Sequence, residues 1–97
     1  MYRKTRLIFH RKNIEPNGDI IEIKMWNVPV SKDRPEGVKY SLVYVKGGKR
    51  IVGYDNGEGK GHHRHYRNQE DLYPFRGVDV LVKDFYRDVE KIRRGEI

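Results

Sequence analysis

Asp19-Ile20-Ile21-Glu22-Ile23-Lys24-Met25-Trp26-Asn27-Val28 alternates in polarity. Ile21, Ile23 and Met25 fall on one face, and Glu22, Lys24 and Trp26 on the other. Successive side chains of a strand point to opposite sides, so this period of two predicts a strand with one buried and one wet face. Toward the N-terminus, Glu15-Pro16-Asn17-Gly18 carries turn residues, and residues 6–13, with Leu7, Ile8 and Phe9, resume the pattern. These two runs are expected to pair as a hairpin. Toward the C-terminus, Pro29 and the polar stretch Ser31 to Gly37 read as a loop. Residues 38–45 then read as a third strand, with Tyr40 and Tyr44 on one face. Gly47-Gly48 makes a tight turn, and Arg50 to Asp55 forms the fourth strand. Four consecutive strands joined by short turns predict an antiparallel meander.

From Asn56 to Gly77 the pattern stops. The segment is polar and glycine-rich and contains Pro74. Residues 56–76 are expected to form one long loop, anchored on the core by Tyr66, Tyr73 and Phe75. A loop of that length inside a small domain points to function. Beyond it, Val78, Leu81, Val82, Phe85, Val89 and Ile92 recur at spacings of three and four, the mark of a helical face. Gly77 suits its N-cap, Asp79 its first turn, and Lys91, Arg93 and Arg94 its C-terminal turn, where cations complement the helix dipole. Gly95 can end it. The expected fold is therefore α+β: a four-stranded antiparallel β-meander packed against one C-terminal α-helix, in one domain over residues 1–97.

The charge balance narrows the partners. Lys and Arg number 21 against 14 Asp and Glu, a formal net charge of +7 on 97 residues. A basic chain this small attracts polyanions, and nucleic acid fits best because cationic patches bind phosphate. No apolar run approaches the roughly 20 residues of a membrane span, so no membrane partner is expected. The apolar Leu7-Ile8-Phe9 behind a basic N-terminus is too short for a signal peptide. Absence of cysteine excludes disulfides and thiolate metal sites and agrees with a reducing cytoplasm.

Chemistry concentrates in Tyr54-Asp55-Asn56-Gly57-Glu58-Gly59-Lys60-Gly61-His62-His63-Arg64-His65-Tyr66. Histidine titrates nearest neutrality, and three of the four histidines lie here. The glycines allow close approach of the backbone to a ligand. On an extended segment, His63 and His65 share a face. His10, by contrast, reads as a satisfied sheet histidine. Trp26 reads as half exposed, packing under a loop rather than stacking on a base, and Glu58 as a solvated loop carboxylate.

The chain resembles the TumE family of toxins from toxin–antitoxin pairs. The resemblance starts at Leu7-Ile8-Phe9-His10-Arg11-Lys12, then Asn17-Gly18 before Ile20-Ile21-Glu22. It continues through Trp26, Pro29 and Tyr40 to Val52-Gly53-Tyr54-Asp55-Asn56, Gly59-Lys60-Gly61 and His63-Arg64-His65-Tyr66. Tyr73-Pro74-Phe75 and Asp84-Phe85 complete it. The residue before the His-Arg-His trio is commonly acidic in that family; here it is His62. The resemblance implies a toxin that acts on RNA and is restrained by a cognate antitoxin, a DNA-binding protein encoded beside it.

RNA cleavage through the 2′-hydroxyl needs a base, an acid and cations for the phosphorane charge. His63 and His65 are candidates for base and acid, with Tyr66 stacking on a base or donating a hydrogen bond. Lys60, Arg64 and Arg67 are candidates for phosphate binding, with the Gly59 and Gly61 backbone amides. Asp55 is a candidate support that orients an imidazole, and His62 a further member. No cofactor is required by this chemistry. The alternative is a divalent metal held by Asp55, His63 and His65, although the spacing matches no strong zinc signature. A second alternative is a nucleic-acid binder without catalysis. An exposed sheet edge also allows a homo-oligomer.

Overall fold

The alternating runs fold as read. β1 (Arg6–Ile14), β2 (Ile20–Asn27), β3 (Val38–Lys46) and β4 (Lys49–Asp55) each pair antiparallel with the next. Ile21, Ile23 and Met25 are buried, while Glu22, Lys24 and Trp26 are partly exposed on the opposite face. The computed structural model describes residues 5–32, 34–57 and 61–96.

The sheet does not end at four strands. His63–Tyr66 forms β5 and Gln69–Leu72 forms β6, giving a six-stranded antiparallel sheet in the order β1-β2-β3-β4-β5-β6. The four-stranded meander is thereby corrected, and the middle of the expected loop 56–76 is a hairpin. Its strands have only four residues each, and in β5 the positions facing the helix are Arg64 and Tyr66 rather than aliphatics. Its two-residue turn, Arg67-Asn68, contains no glycine. Arg67 adopts φ 56°, a left-handed conformation that costs a side-chain-bearing residue roughly 1–2 kcal/mol. Its backbone N–H donates to the Ile51 carbonyl oxygen at 2.7 Å, which ties the turn to β4.

α1 (Val78–Arg93) starts after Gly77 and ends before Gly95, which takes φ 75° and donates its N–H to Ile92 O. Leu81, Phe85, Val89 and Ile92 form its buried stripe. They meet Ile21, Ile23, Met25, Tyr40, Leu42, Tyr44, Val52 and Tyr54 of the sheet. Burying each such side chain contributes about 1.5–3 kcal/mol, which makes this layer the main source of stability. Six strands at roughly 4.8 Å spacing span about 24 Å, whereas a helix is only about 10 Å across. α1 rests on β4, and every residue of β1 is left exposed.

One irregularity positions the site. Tyr44 pairs with Val52, but Val45 pairs with Arg50, so Ile51 is an extra residue in β4. Such a bulge re-aims the neighbouring side chain. Without it, Arg50 would share the helix-facing side with Val52; with it, Arg50 joins Val45 and Gly53 on the outer face.

Candidate functional site

Strand alternation sorts the histidine segment onto two sides of the sheet. His65 lies opposite Gly53 and His63 opposite Asp55, on the outer face. Arg64 lies opposite Tyr54 and Tyr66 opposite Val52, on the helix side. The i, i+2 relation of His63 and His65 therefore brings them together, and the same relation takes Arg64 and Tyr66 away from them.

On the outer face His65 is held at both ring nitrogens. Arg50 Nη2 lies 3.2 Å from Nδ1, and Asp55 Oδ2 lies 3.4 Å from Nε2. A guanidinium can only donate, so Nδ1 accepts and the proton is on Nε2, directed at the carboxylate. Glu70, across the strand from His65, reaches both imidazoles: 3.2 Å to His63 Nδ1 and 3.8 Å to His65 Nε2. The histidine side chains are 17% and 16% exposed, enough to be reached yet largely shielded from water. Gly53 makes room for this arrangement, because a Cβ there would stand 3.0 Å from Arg50 Cδ and 3.6 Å from His65 Cδ2. An open cleft of about 610 Å³ adjoins His65, lined by Arg50, Arg67, Asn68, Gln69 and Glu70.

On the helix side, Arg64 Nε donates to Asp88 Oδ2 at 2.8 Å and to the Tyr54 hydroxyl oxygen at 3.0 Å. Tyr54 donates to the same carboxylate oxygen at 2.6 Å. The hydrogen bond to Asp88 raises the Arg64 pKa further, and burial followed by Asp88 pushes the Tyr54 hydroxyl up. Arg64 also stacks over Tyr66, 4.7 Å from its ring centroid, and the Tyr66 hydroxyl is buried there without a hydrogen-bond partner among the described residues. These groups lock β5 to α1.

His62 sits apart from both sets. Its ring stacks on Phe75 at 4.6 Å, and its Nδ1 meets the Tyr40 hydroxyl at 2.7 Å. Burial raises the Tyr40 pKa, so the hydroxyl keeps its proton and donates. Nε2 then faces Glu36 at 3.5 Å. Asn56, also buried, links Glu36, Val38 O and the Tyr40 N–H in the same corner. His10 bonds Glu22 across β1 and β2 at 2.7 Å, as a sheet histidine does. Trp26 carries Lys39 Nζ 5.2 Å over its ring.

Lys60, Gly59 and Glu58 lie outside the described residues. Gly61 has φ 80°, and among the described residues nothing lies within 4 Å of where a Cβ would stand. Among the described residues, no group of three or more His, Cys, Asp or Glu is arranged to hold a metal ion. Asp55 and His65 do meet, whereas His63 turns to Glu70. The alternation pattern does not mark Arg50 or Glu70 as site residues. Arg50 carries no periodic signal, because the bulge reverses its side. Glu70 was legible only as the mirror of His65 about the Arg67-Asn68 turn.

The family model described as "Toxin TumE" matches residues 2–93. The chain belongs to the TumE toxin family. It is thus a toxin of a toxin–antitoxin pair, with a cognate antitoxin as partner. No curated protein and no solved structure matches the chain. No helix of the described residues in this TumE-family toxin is long and apolar enough to cross a membrane.

Proposed function

We propose that this toxin is a ribonuclease that uses His65 and His63 as an acid–base pair on the outer face of the sheet. The observation that carries the reading is His65 clamped between Asp55 and Arg50 at the rim of an open cleft. Asp55 fixes the tautomer with Nε2 protonated, leaving Nδ1 as the basic atom. An RNA phosphate entering the cleft draws Arg50 away from Nδ1 and onto its own oxygens, a stronger partner for a guanidinium than an imidazole. Nδ1 can then take the proton of the 2′-hydroxyl as it attacks phosphorus. His63, oriented by Glu70, returns a proton to the departing 5′-oxygen. Arg50 and Arg67 stabilise the phosphorane charge, in place of the Arg64 expected from sequence. An RNA substrate makes the cytoplasm the site of action, and a DNA-binding antitoxin encoded beside the toxin would complete the pair.

Cleavage of labelled total RNA by the wild type and by His63→Ala/His65→Ala, each with and without EDTA, tests the reading. EDTA-resistant cleavage that the variant lacks is the expected result. EDTA-sensitive cleavage would replace it with metal-assisted hydrolysis involving Asp55 and the histidines. RNA binding by both proteins without cleavage would leave a nucleic-acid binder.

A further inference from the structure

Beyond the histidine face, the least satisfied part of the molecule is β1. All nine of its residues are exposed, and its outer edge presents backbone N–H and C=O groups that pair with no strand among the described residues. Natural sheets seldom leave a long edge with apolar side chains open. Here Leu7, Ile8, Phe9 and Ile14 are all exposed, Phe9 at 45%. Phe9 and Arg11 border an apolar groove of about 250 Å³, completed by Ile23, Met25, Val78, Val82 and Tyr86 where α1 stops short of the sheet edge.

Charge selects the occupant. β1 carries Arg6, His10, Arg11 and Lys12 and no carboxylate. Two copies paired through β1 would bring these cations together, which disfavours a symmetric dimer. The opposite edge, β6, carries Glu70 and Asp71 but has only four residues against nine. Pairing β6 of one copy with β1 of the next would also propagate into an open filament. RNA would find the cations but leave the four apolar side chains and the groove uncovered.

We infer that β1 and the adjoining groove are the docking surface for the antitoxin, which adds an extended, acidic segment as a seventh strand. The inference rests on membership of the toxin family and is independent of the ribonuclease reading. Strand addition supplies main-chain hydrogen bonds, and alternate side chains supply specificity. Phe9 and Arg11 pair with Met25 and Ile23 on the helix side, whereas His10 and Lys12 pair with Lys24 and Glu22 on the outer face. The segment must therefore alternate, with apolar residues toward the groove and carboxylates toward His10 and Lys12.

Amide hydrogen exchange of the full chain, alone and with its purified cognate antitoxin, tests this without using RNA cleavage. The expected result is slowed exchange along Arg6–Ile14 in the complex. Two variants accompany it. Phe9→Glu alters the groove, and Lys12→Glu reverses charge on the outer face, away from it; each should weaken antitoxin binding at least tenfold with the circular dichroism spectrum unchanged. Leu72→Glu, on the far edge, should leave binding as it is. Protection confined to β6 or to the histidine face, or undiminished binding by the charge variant, would overturn the inference. So would protection of β1 that grows with toxin concentration alone, or that appears with an RNA oligonucleotide but not with antitoxin.

Discussion

At the scale of single residues, a one-step difference along β5 separates the proposed chemistry from structural support. His65 faces Asp55 and Arg50, and its neighbour Arg64 faces Asp88. Replacing His65 by Ala should lower RNA cleavage about 10²–10⁴-fold, the usual contribution of a general acid or base, and leave RNA binding nearly intact. Gly53→Ala asks a subtler question. Its Cβ would meet Arg50 Cδ at 3.0 Å, and a flexible side chain can yield. The variant should fold but move Arg50 off His65, with cleavage reduced several-fold and thermal stability almost unchanged.

At the scale of elements, the ion pair of Arg64 and Asp88 joins the β5–β6 hairpin to α1. Asp88 is 5% exposed, so removing its cation leaves a buried charge unpaired. Arg64→Met should cost about 3 kcal/mol, read as a lower urea midpoint in chemical unfolding. His63 and His65 were paired by the same alternation that sends Arg64 and Tyr66 to the helix side, so that division was already present in the sequence of β5. The hairpin itself was not legible. Aliphatic alternation marks β2, but β5 fills its inward positions with Arg64 and Tyr66, whose aromatic and charged contacts need α1 to be in place. The side taken by Arg50 was equally hidden, since an inserted Ile51 reverses the parity on which pattern reading depends. The helix, by contrast, was legible from Gly77 to Gly95 because packing and capping signals agree there.

At the scale of the whole molecule, charge governs both folding and encounter. Hydrogen bonding from His10 holds the Glu22 carboxyl below its ordinary range. Burial pushes Asp19 upward, but Tyr44 and Lys46 outweigh it and hold this carboxyl low as well. Depressed carboxylates add stability that is fully present above the unfolded range and lost as pH falls through the folded values. Thermal melts should therefore decline as pH falls below about 4, the ordinary carboxylate range. Asp19→Asn/Glu22→Gln should show a shallower decline. The net charge of +7 also predicts salt-sensitive RNA binding. Arg50→Gln/Arg67→Gln should flatten the log–log salt slope for single-stranded RNA by about 1.4, two phosphate contacts at about 0.7 each.

The division of β5 into two faces has a practical consequence. The histidines stand four strands from β1, roughly 19 Å away at ordinary strand spacing, and on the face opposite the groove. A chain with both histidines replaced by alanine keeps the Arg64 lock, the groove and the basic edge. On the proposed site and docking surface, such a chain supplied in excess would be a harmless decoy that occupies the antitoxin and sets intact toxin loose, turning a two-residue change into a trigger.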